Sequence, residues 1–185
     1  MTDVPASRPR LAGDPSEAEQ IERMIRVDHA GEYGAKRIYA GQLAVLGKSE
    51  HGPVIQHMAE QEEEHLDYFT QAIGDRGVRP TALLPLWHAA GFALGAATAL
   101  MGPRAAMACT VAVEEAIDEH YQAQLNALGP EEADLSKSIA KFREDELEHR
   151  DIGLEREAEL APGYDVMSAA IKRGSKLAIW LSERF

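Results

Sequence analysis

The sequence predicts an all-α fold: a bundle of four long helices with an apolar crossover helix and a C-terminal amphipathic helix. Apolar residues recur at spacings of three and four from Ser16 onward, whereas the alternating patterns of strands are scarce. Glycines and prolines near residues 47–53, 102–103, 129–130 and 162–163 divide the chain into segments of helical length. A chain of 185 residues that is 45% hydrophobic fits a single domain with a sizeable core.

Start and stop signals place each helix in turn. Ser16 is a good N-cap for a first helix to about Leu46, and acidic residues follow in its first turn. The later helices are predicted at about 53–73, 82–101, 103–128, 131–160 and 165–181. Residues 1–15 are rich in Pro, Gly and Ser, so we expect a disordered lead there and the folded domain at 16–185.

Charge and cysteine content exclude several classes of protein. The formal net charge of -12 argues against nucleic-acid binding and against simple electrostatic docking on an anionic membrane. Cys109 is the single cysteine, so no intramolecular disulfide can form. The acidity is explained either by solubility or by carboxylates that bind metal.

Each of the four long helices carries a glutamate on its apolar stripe, where a hydrophobic residue is expected. In two of them a histidine follows three residues later, on the same helix face. An uncompensated carboxylate in a core costs on the order of several kcal/mol, so these groups need a counter-charge. Two divalent cations would balance four carboxylates. The predicted metal ligands are Glu32, Glu62, His65, Glu114, Glu146 and His149.

This pattern, one Glu from each of two helices and Glu-x-x-His from each of the other two, is that of ferritin-like di-iron bundles. A single Glu-x-x-His is common on charged helices, so the prediction depends on two copies with matched glutamates. Mixed carboxylate and imidazole ligands suit iron that must meet O2, although manganese remains open.

Other polar residues on the stripes have two interpretations each. Asp28 and Asp118 either orient the ligand histidines, or form local salt bridges or lie at an end of the bundle. Tyr121 serves in proton or electron transfer at the site, or is simply a core tyrosine. The spacing of His120 leaves its role open.

The apolar segment 82–101 is about 30 Å long as a helix, enough to span a bilayer. A single span would separate two of the four glutamates from the other two, so we predict a crossover between the second and third core helices. Its excess apolar surface predicts contact with the membrane interface or a tunnel for an apolar substrate; the alternative is a buried crossover or a protein interface. Trp87 and Trp180 are candidate interfacial anchors.

Four segments closely resemble the demethoxyubiquinone hydroxylases of ubiquinone biosynthesis: RVDHAGEYGAKRIYAGQLAVLG, PLWHAAGFALGAATALMG, ACTVAVEEAIDEHY and FREDELEHRDIGLE. The resemblance covers about residues 22–185. It implies a di-iron monooxygenase that adds a hydroxyl to the ring of a demethoxyubiquinone with O2. It also implies that the same six residues bind iron, and that the family's His–Tyr pair corresponds to His120 and Tyr121.

The resemblance further implies a polyprenyl quinone substrate, peripheral contact with a membrane and, in some organisms, an accessory lipid-binding protein. No mitochondrial presequence is recognisable, so we expect a bacterial member on the cytoplasmic face of the inner membrane. The electron donor and the tail length stay open, as does the choice between monomer and homo-oligomer. Two other functions are retained as alternatives: a ferritin- or rubrerythrin-like bundle that oxidises iron or removes peroxide, and a non-catalytic bundle with a structural metal.

Overall fold

A computed structural model describes residues 13–185, and within that range the chain forms six α-helices and no strand. The helices are α1 (Glu17–Leu46), α2 (Gly52–Arg76), α3 (Leu84–Leu100), α4 (Pro103–Ala127), α5 (Ala133–Glu155) and α6 (Tyr164–Ser182). The all-α prediction is confirmed. The expected disordered lead at 1–15 lies outside the described residues, except for its last three.

Four helices make the bundle core, and the apolar stripes predicted for them face inward. α1 packs against α2, and α4 packs against α5, while α3 crosses from the end of α2 to the start of α4. Asp118, which the sequence places on the stripe of α4, is only partly buried. The buried members of the stripes are Ile21, Ile25, Asp28, Glu32, Ala35, Tyr39, Ile55, Met58, Glu62, His65, Phe69, Met107, Val111, Glu114, Tyr121, Leu135, Ile139, Phe142, Glu146 and His149.

The ends of the helices agree with some of the predicted boundaries and differ from others. Ser16 caps α1: its Oγ accepts from the Glu19 amide at 3.2 Å, and the Glu19 carboxylate accepts from the Ser16 amide at 2.6 Å. The prediction that the fifth helix runs to residue 160 is wrong. α5 ends at Glu155 because Glu157 takes a left-handed conformation with φ 63°, and a single 3₁₀ turn follows at Ala158–Leu160.

The crossover helix α3 lies unusually close to α1, which glycines permit. A Cβ on Gly95 would overlap the carbonyl oxygen of Ile38, and one on Gly41 would overlap that of Phe92. The opposite face of α3 is open, with Leu86 and Leu100 more than half exposed. Within residues 13–185, no helix combines the length and apolarity needed to cross a bilayer.

α6 is fastened to α4 by ion pairs. Lys172 pairs with Glu115, and Lys176 Nζ lies 2.6 Å from a Glu119 carboxylate oxygen. The predicted amphipathic helix is therefore present, but two of its basic residues bind α4. At its C-terminal end, Ser182 accepts a hydrogen bond of 3.0 Å from the Trp87 indole N–H, so α6 also contacts α3.

Candidate metal centre

The six predicted ligands converge at the centre of the bundle. Each is 1% exposed or less. They form two overlapping groups of four, and in each group one ligand atom per residue lies within 4.8 Å of the others. The His65 group consists of Glu32, Glu62, His65 and Glu146; the His149 group consists of Glu62, Glu114, Glu146 and His149. Glu62 and Glu146 belong to both, as carboxylates that bridge two cations would.

The Glu-x-x-His spacing turns one nitrogen of each histidine toward the carboxylates. His65 Nδ1 lies 3.2 Å from Glu146 Oε1, and His149 Nδ1 lies 3.3 Å from Glu62 Oε1. Each histidine thus approaches the shared carboxylate of the opposite helix. α2 and α5 supply the histidines and shared carboxylates, while α1 and α4 each contribute one further glutamate.

Two tyrosines hold those further glutamates. The Tyr121 hydroxyl on α4 donates to Glu32 on α1, and the Tyr39 hydroxyl on α1 donates to Glu114 on α4 at 2.9 Å. Each tyrosine stands seven residues after the glutamate of its own helix, so the two halves of the site are related by an approximate two-fold exchange. The sequence analysis predicted a role for Tyr121 but not for Tyr39, although Tyr39 follows Glu32 at the same spacing of seven residues.

The outer nitrogens of the histidines bind residues that the sequence did not single out. His65 Nε2 lies 3.1 Å from Asp145 Oδ2, and His149 Nε2 lies 3.0 Å from Gln61 Oε1. Gln61 and Asp145 each directly precede the shared glutamate of their helix. An acceptor at Nε2 fixes the proton there and leaves the Nδ1 lone pair free to face a cation.

The interpretation that Asp28 and Asp118 orient the ligand histidines is wrong. Asp28 Oδ1 lies 3.2 Å from His120 Nε2 and accepts from Gln124 at 2.7 Å. Asp118 accepts from Arg143 at 2.6 Å, which is the salt bridge of the alternative interpretation. Both aspartates lie on the expected stripes, each four residues from a predicted glutamate ligand, but their partners are not the ligand histidines.

The close packing of buried carboxylates and histidines strongly shifts the pKa values in the centre. Burial, followed by the nearby carboxylates, raises the pKa of Glu62 and of Glu114 well above the ordinary value. Burial opposes ionisation of Glu146 too, but the hydrogen-bonded His149 and the nearby His65 outweigh it and lower its pKa to about 2. Burial likewise opposes the charge on His65, yet the carboxylates of Glu146 and Glu32 close to its Nδ1 raise that pKa to about 12. A cation that enters must therefore displace protons.

Several buried oxygen and nitrogen atoms of the centre have no partner within the protein and could bind a pair of metal ions. Among the described residues, twelve buried side-chain atoms have no hydrogen-bond partner, although such atoms are normally satisfied, and six of these atoms lie in the centre. These six belong to five of the six predicted ligands: Glu32 Oε2, both oxygens of Glu62, His65 Nδ1, Glu114 Oε2 and Glu146 Oε1. Oxygen and imidazole donors facing one centre are what a divalent transition metal requires. The centre could thus hold metal.

An apolar cavity of about 350 Å³ lies between α1, α3, α4 and α6. Its wall includes Gly31 and Val113, which directly precede Glu32 and Glu114, although none of the six predicted ligands lines it. Leu94 of α3 and Ala178 of α6 line it as well. A largely apolar cavity of this size suits a small planar ring with a hydrocarbon substituent.

Known proteins with similar sequences identify the family of this chain. The family model described as ubiquinone biosynthesis protein COQ7 matches residues 19–182. The chain belongs to the COQ7 family. A relative from Rhodospirillum rubrum named 3-demethoxyubiquinol 3-hydroxylase is 60% identical over 95% of this chain and 83% of its own length.

COQ7 relatives from eukaryotes carry names of the same kind. The human protein, NADPH-dependent 3-demethoxyubiquinone 3-hydroxylase, mitochondrial, is 56% identical over 89% of this chain and 77% of its own length. The Saccharomyces cerevisiae protein, 5-demethoxyubiquinone hydroxylase, mitochondrial, is 42% identical over 99% of this chain and 86% of its own. These names support the hydroxylase prediction over the iron-oxidising or peroxide-removing alternative.

Proposed function

We propose that this COQ7 protein is a monooxygenase that hydroxylates the ring of a demethoxyubiquinone-type quinone with O2 at a pair of iron ions. The observation that carries the proposal is the pair of buried four-residue groups that share Glu62 and Glu146. Six unsatisfied donor atoms in these groups support metal binding. The names of the bacterial and human relatives support the reaction and its substrate.

The residues of the chain would hold and shield the reacting groups. Two iron ions at this position would supply the activation of O2 that ring hydroxylation requires. Asp145 and Gln61 keep the histidine Nδ1 atoms turned toward the centre, and the tyrosines fix Glu32 and Glu114. We retain Tyr121 as the residue that transfers a proton or an electron near the ring.

The reaction balances with one external reductant. One oxygen atom enters a ring C–H bond and yields a hydroxyl group. The other oxygen atom leaves as water and takes up two electrons and two protons. The name of the human relative gives NADPH as that protein's reductant, and a nicotinamide donor is accordingly the first to test here.

The quinone would reach the centre through the apolar cavity. Its ring would lie near Gly31 and Val113, and its polyprenyl tail would leave between α3 and α6. The exposed side chains of Leu86, Leu100 and Trp180 favour contact of this side with a membrane surface. The proposed location is peripheral, on the cytoplasmic face of a bacterial inner membrane. An accessory lipid-binding protein and a homo-oligomer belong to the same proposal as partners to be tested.

A combined iron and quinone assay tests the proposal. Purified protein loaded with Fe(II) is given a demethoxyquinone, a nicotinamide reductant system and ¹⁸O2, and the product is analysed by mass spectrometry. We expect one ¹⁸O atom in the product with the unaltered chain and none with Glu62→Ala or Glu146→Ala. Glu148→Ala is the matched control, because Glu148 is an exposed glutamate two residues from Glu146.

Two results of this assay would contradict the proposed function. Iron oxidation or peroxide removal without labelled quinone would support the ferritin- or rubrerythrin-like function instead. Full hydroxylation by metal-free protein would place the reaction outside the proposed centre and leave the metal with a structural role.

A further inference from the structure

The two halves of the centre are built from the same kinds of residue. Each half has a glutamate held by a tyrosine, a Glu-x-x-His pair and a share in both central carboxylates. The residue that accepts from the outer histidine nitrogen is different. At His65 it is the carboxylate of Asp145, and at His149 it is the neutral amide of Gln61.

The Asp145 carboxylate lies between His65 and Lys141. The Asp145 side chain is 18% exposed and accepts from Lys141 Nζ at 2.8 Å on the same oxygen that faces the histidine. The Lys141 side chain is 61% exposed, so solvent screens much of its opposing charge. His65 therefore has a carboxylate partner inside the protein, whereas His149 has only a dipole.

A carboxylate that accepts from a ligand histidine makes the imidazole a stronger donor to the metal. It also adds negative potential near one cation more than near the other, and this potential favours the higher oxidation state. An amide acceptor orients the ring equally well but supplies neither effect.

On the basis of the proposed di-iron function, we propose that the two metal positions are chemically inequivalent, because Asp145 and Gln61 differ in charge. The cation in the His65 group is bound more tightly and is harder to reduce than the cation in the His149 group. Asp145 and Gln61 are thus positioning residues, and the difference between them determines which metal ion keeps the higher oxidation state. An electron added to the oxidised pair would accordingly reduce the cation in the His149 group first.

Two reciprocal variants test this inference. Asp145→Asn removes the charge and keeps an acceptor, while Gln61→Glu adds a charge at the equivalent place. The control is Glu148→Gln, which changes the net charge as Asp145→Asn does but alters an exposed residue. Anaerobic titration with Co(II) or Fe(II) gives the two stepwise affinities, and Mössbauer spectra with potentiometry report the two iron environments. Circular dichroism establishes that each variant is folded.

We expect Asp145→Asn to weaken the first binding step by about tenfold, within the range for residues that support metal ligands. It should leave the second step nearly unchanged, raise the lower of the two potentials and bring the two Mössbauer signals together. Gln61→Glu should strengthen the second step and also make the sites more alike. Repulsion between two cations weakens binding of the second cation even at identical sites. The test is therefore how each variant changes the two affinities relative to the unaltered chain.

The inference is overturned if both variants keep the wild-type affinities, potentials and spectra, or if Glu148→Gln reproduces their effects. A chain that binds no metal overturns both this inference and the proposed function. A chain that binds two inequivalent metals but hydroxylates no quinone overturns only the proposed function, so the two failures can be told apart.

Discussion

The phenol of Tyr121 on α4 donates a hydrogen bond to the carboxylate of Glu32 on α1, across the centre of the bundle. Tyr39 makes the reverse contact, from α1 to Glu114 on α4. Burial raises the pKa of both phenols well above the ordinary value, and nearby carboxylates raise it further, so both tyrosines stay protonated donors.

The two tyrosines have similar bonds but different surroundings. Tyr121 stands beside the Asp28–His120 pair, whose histidine lines a surface pocket of mixed polarity, whereas Tyr39 packs against Met58. Phe at either position removes one donor to a buried carboxylate and should cost about 1–3 kcal/mol of unfolding free energy. Only Tyr121→Phe should also lower kcat by about tenfold or more, since proton transfer commonly contributes at least that much.

Steady-state kinetics and iron content of Tyr121→Phe and Tyr39→Phe provide the comparison. Both variants should retain two irons. An equal loss of turnover in the two would assign Tyr121 a structural role only.

The stability of the metal-free protein should fall as the pH rises above 7. The pKa values of Glu62, Glu114 and His65 are raised on folding, that of His65 to about 12, so the folded state binds more protons than the unfolded state. Stability contributed by such a raised pKa is full below the unfolded value and is lost as the pH rises through the folded value. The relevant window for His65 begins near its ordinary value of 6.5.

Thermal unfolding between pH 7 and 9 in EDTA, and again with Mn(II), checks this sign. The melting temperature should decline with pH in EDTA and decline less with metal, because a cation replaces the displaced protons. Glu62→Gln should flatten the decline. A melting temperature that rises with pH in EDTA would show that protons do not occupy the centre.

Filling the apolar cavity should impair quinone use without removing iron. Gly34 lines the cavity, and a Cβ there would meet no atom within 4 Å, so Gly34→Leu extends into open space. We expect KM for a long-tailed demethoxyquinone to rise about tenfold or more, as loss of about 1.4 kcal/mol of binding would produce. Iron content should not change. Unaltered KM with Gly34→Leu and also with Ala178→Leu, on the opposite wall, would mean that the quinone takes another route.

The close crossing of α1 and α3 should not tolerate a methyl group. Gly95→Ala should lower the unfolding free energy by about 1–3 kcal/mol, because the Ile38 carbonyl occupies the space of the new Cβ. Gly74→Ala in α2 is the matched control. It meets no atom within 4 Å and should stabilise its helix by about 0.5–1 kcal/mol. Urea unfolding of both variants measures the contrast; equal effects would refute the packing argument.

The fold and the six converging residues could be predicted because their signals lie within single helices. A glutamate such as Glu62 stands out on an apolar stripe, and His65 one turn later shares its face. Ser16 was likewise predictable as a cap, since its partner Glu19 is three residues away.

Contacts between helices were harder to predict. Gln61 and Asp145 look like members of a charged surface, and only the relative rotation of α2 and α5 brings them to His149 and His65. Asp28 was selected by its stripe position, yet its partner His120 lies on α4, outside the histidine pairs. Stripe position identifies the face of a helix but not the partner across the bundle.

The separation of the two metal ions tests the central claim most directly. X-ray absorption at the iron edge, on protein loaded with Fe(II), measures iron content and the iron–iron distance together. Because Glu62 and Glu146 are shared by both groups, we expect two irons per chain with a separation of about 3.5–4 Å. Fewer than two bound irons, or two irons with no iron–iron signal, would contradict a bridged pair at this centre.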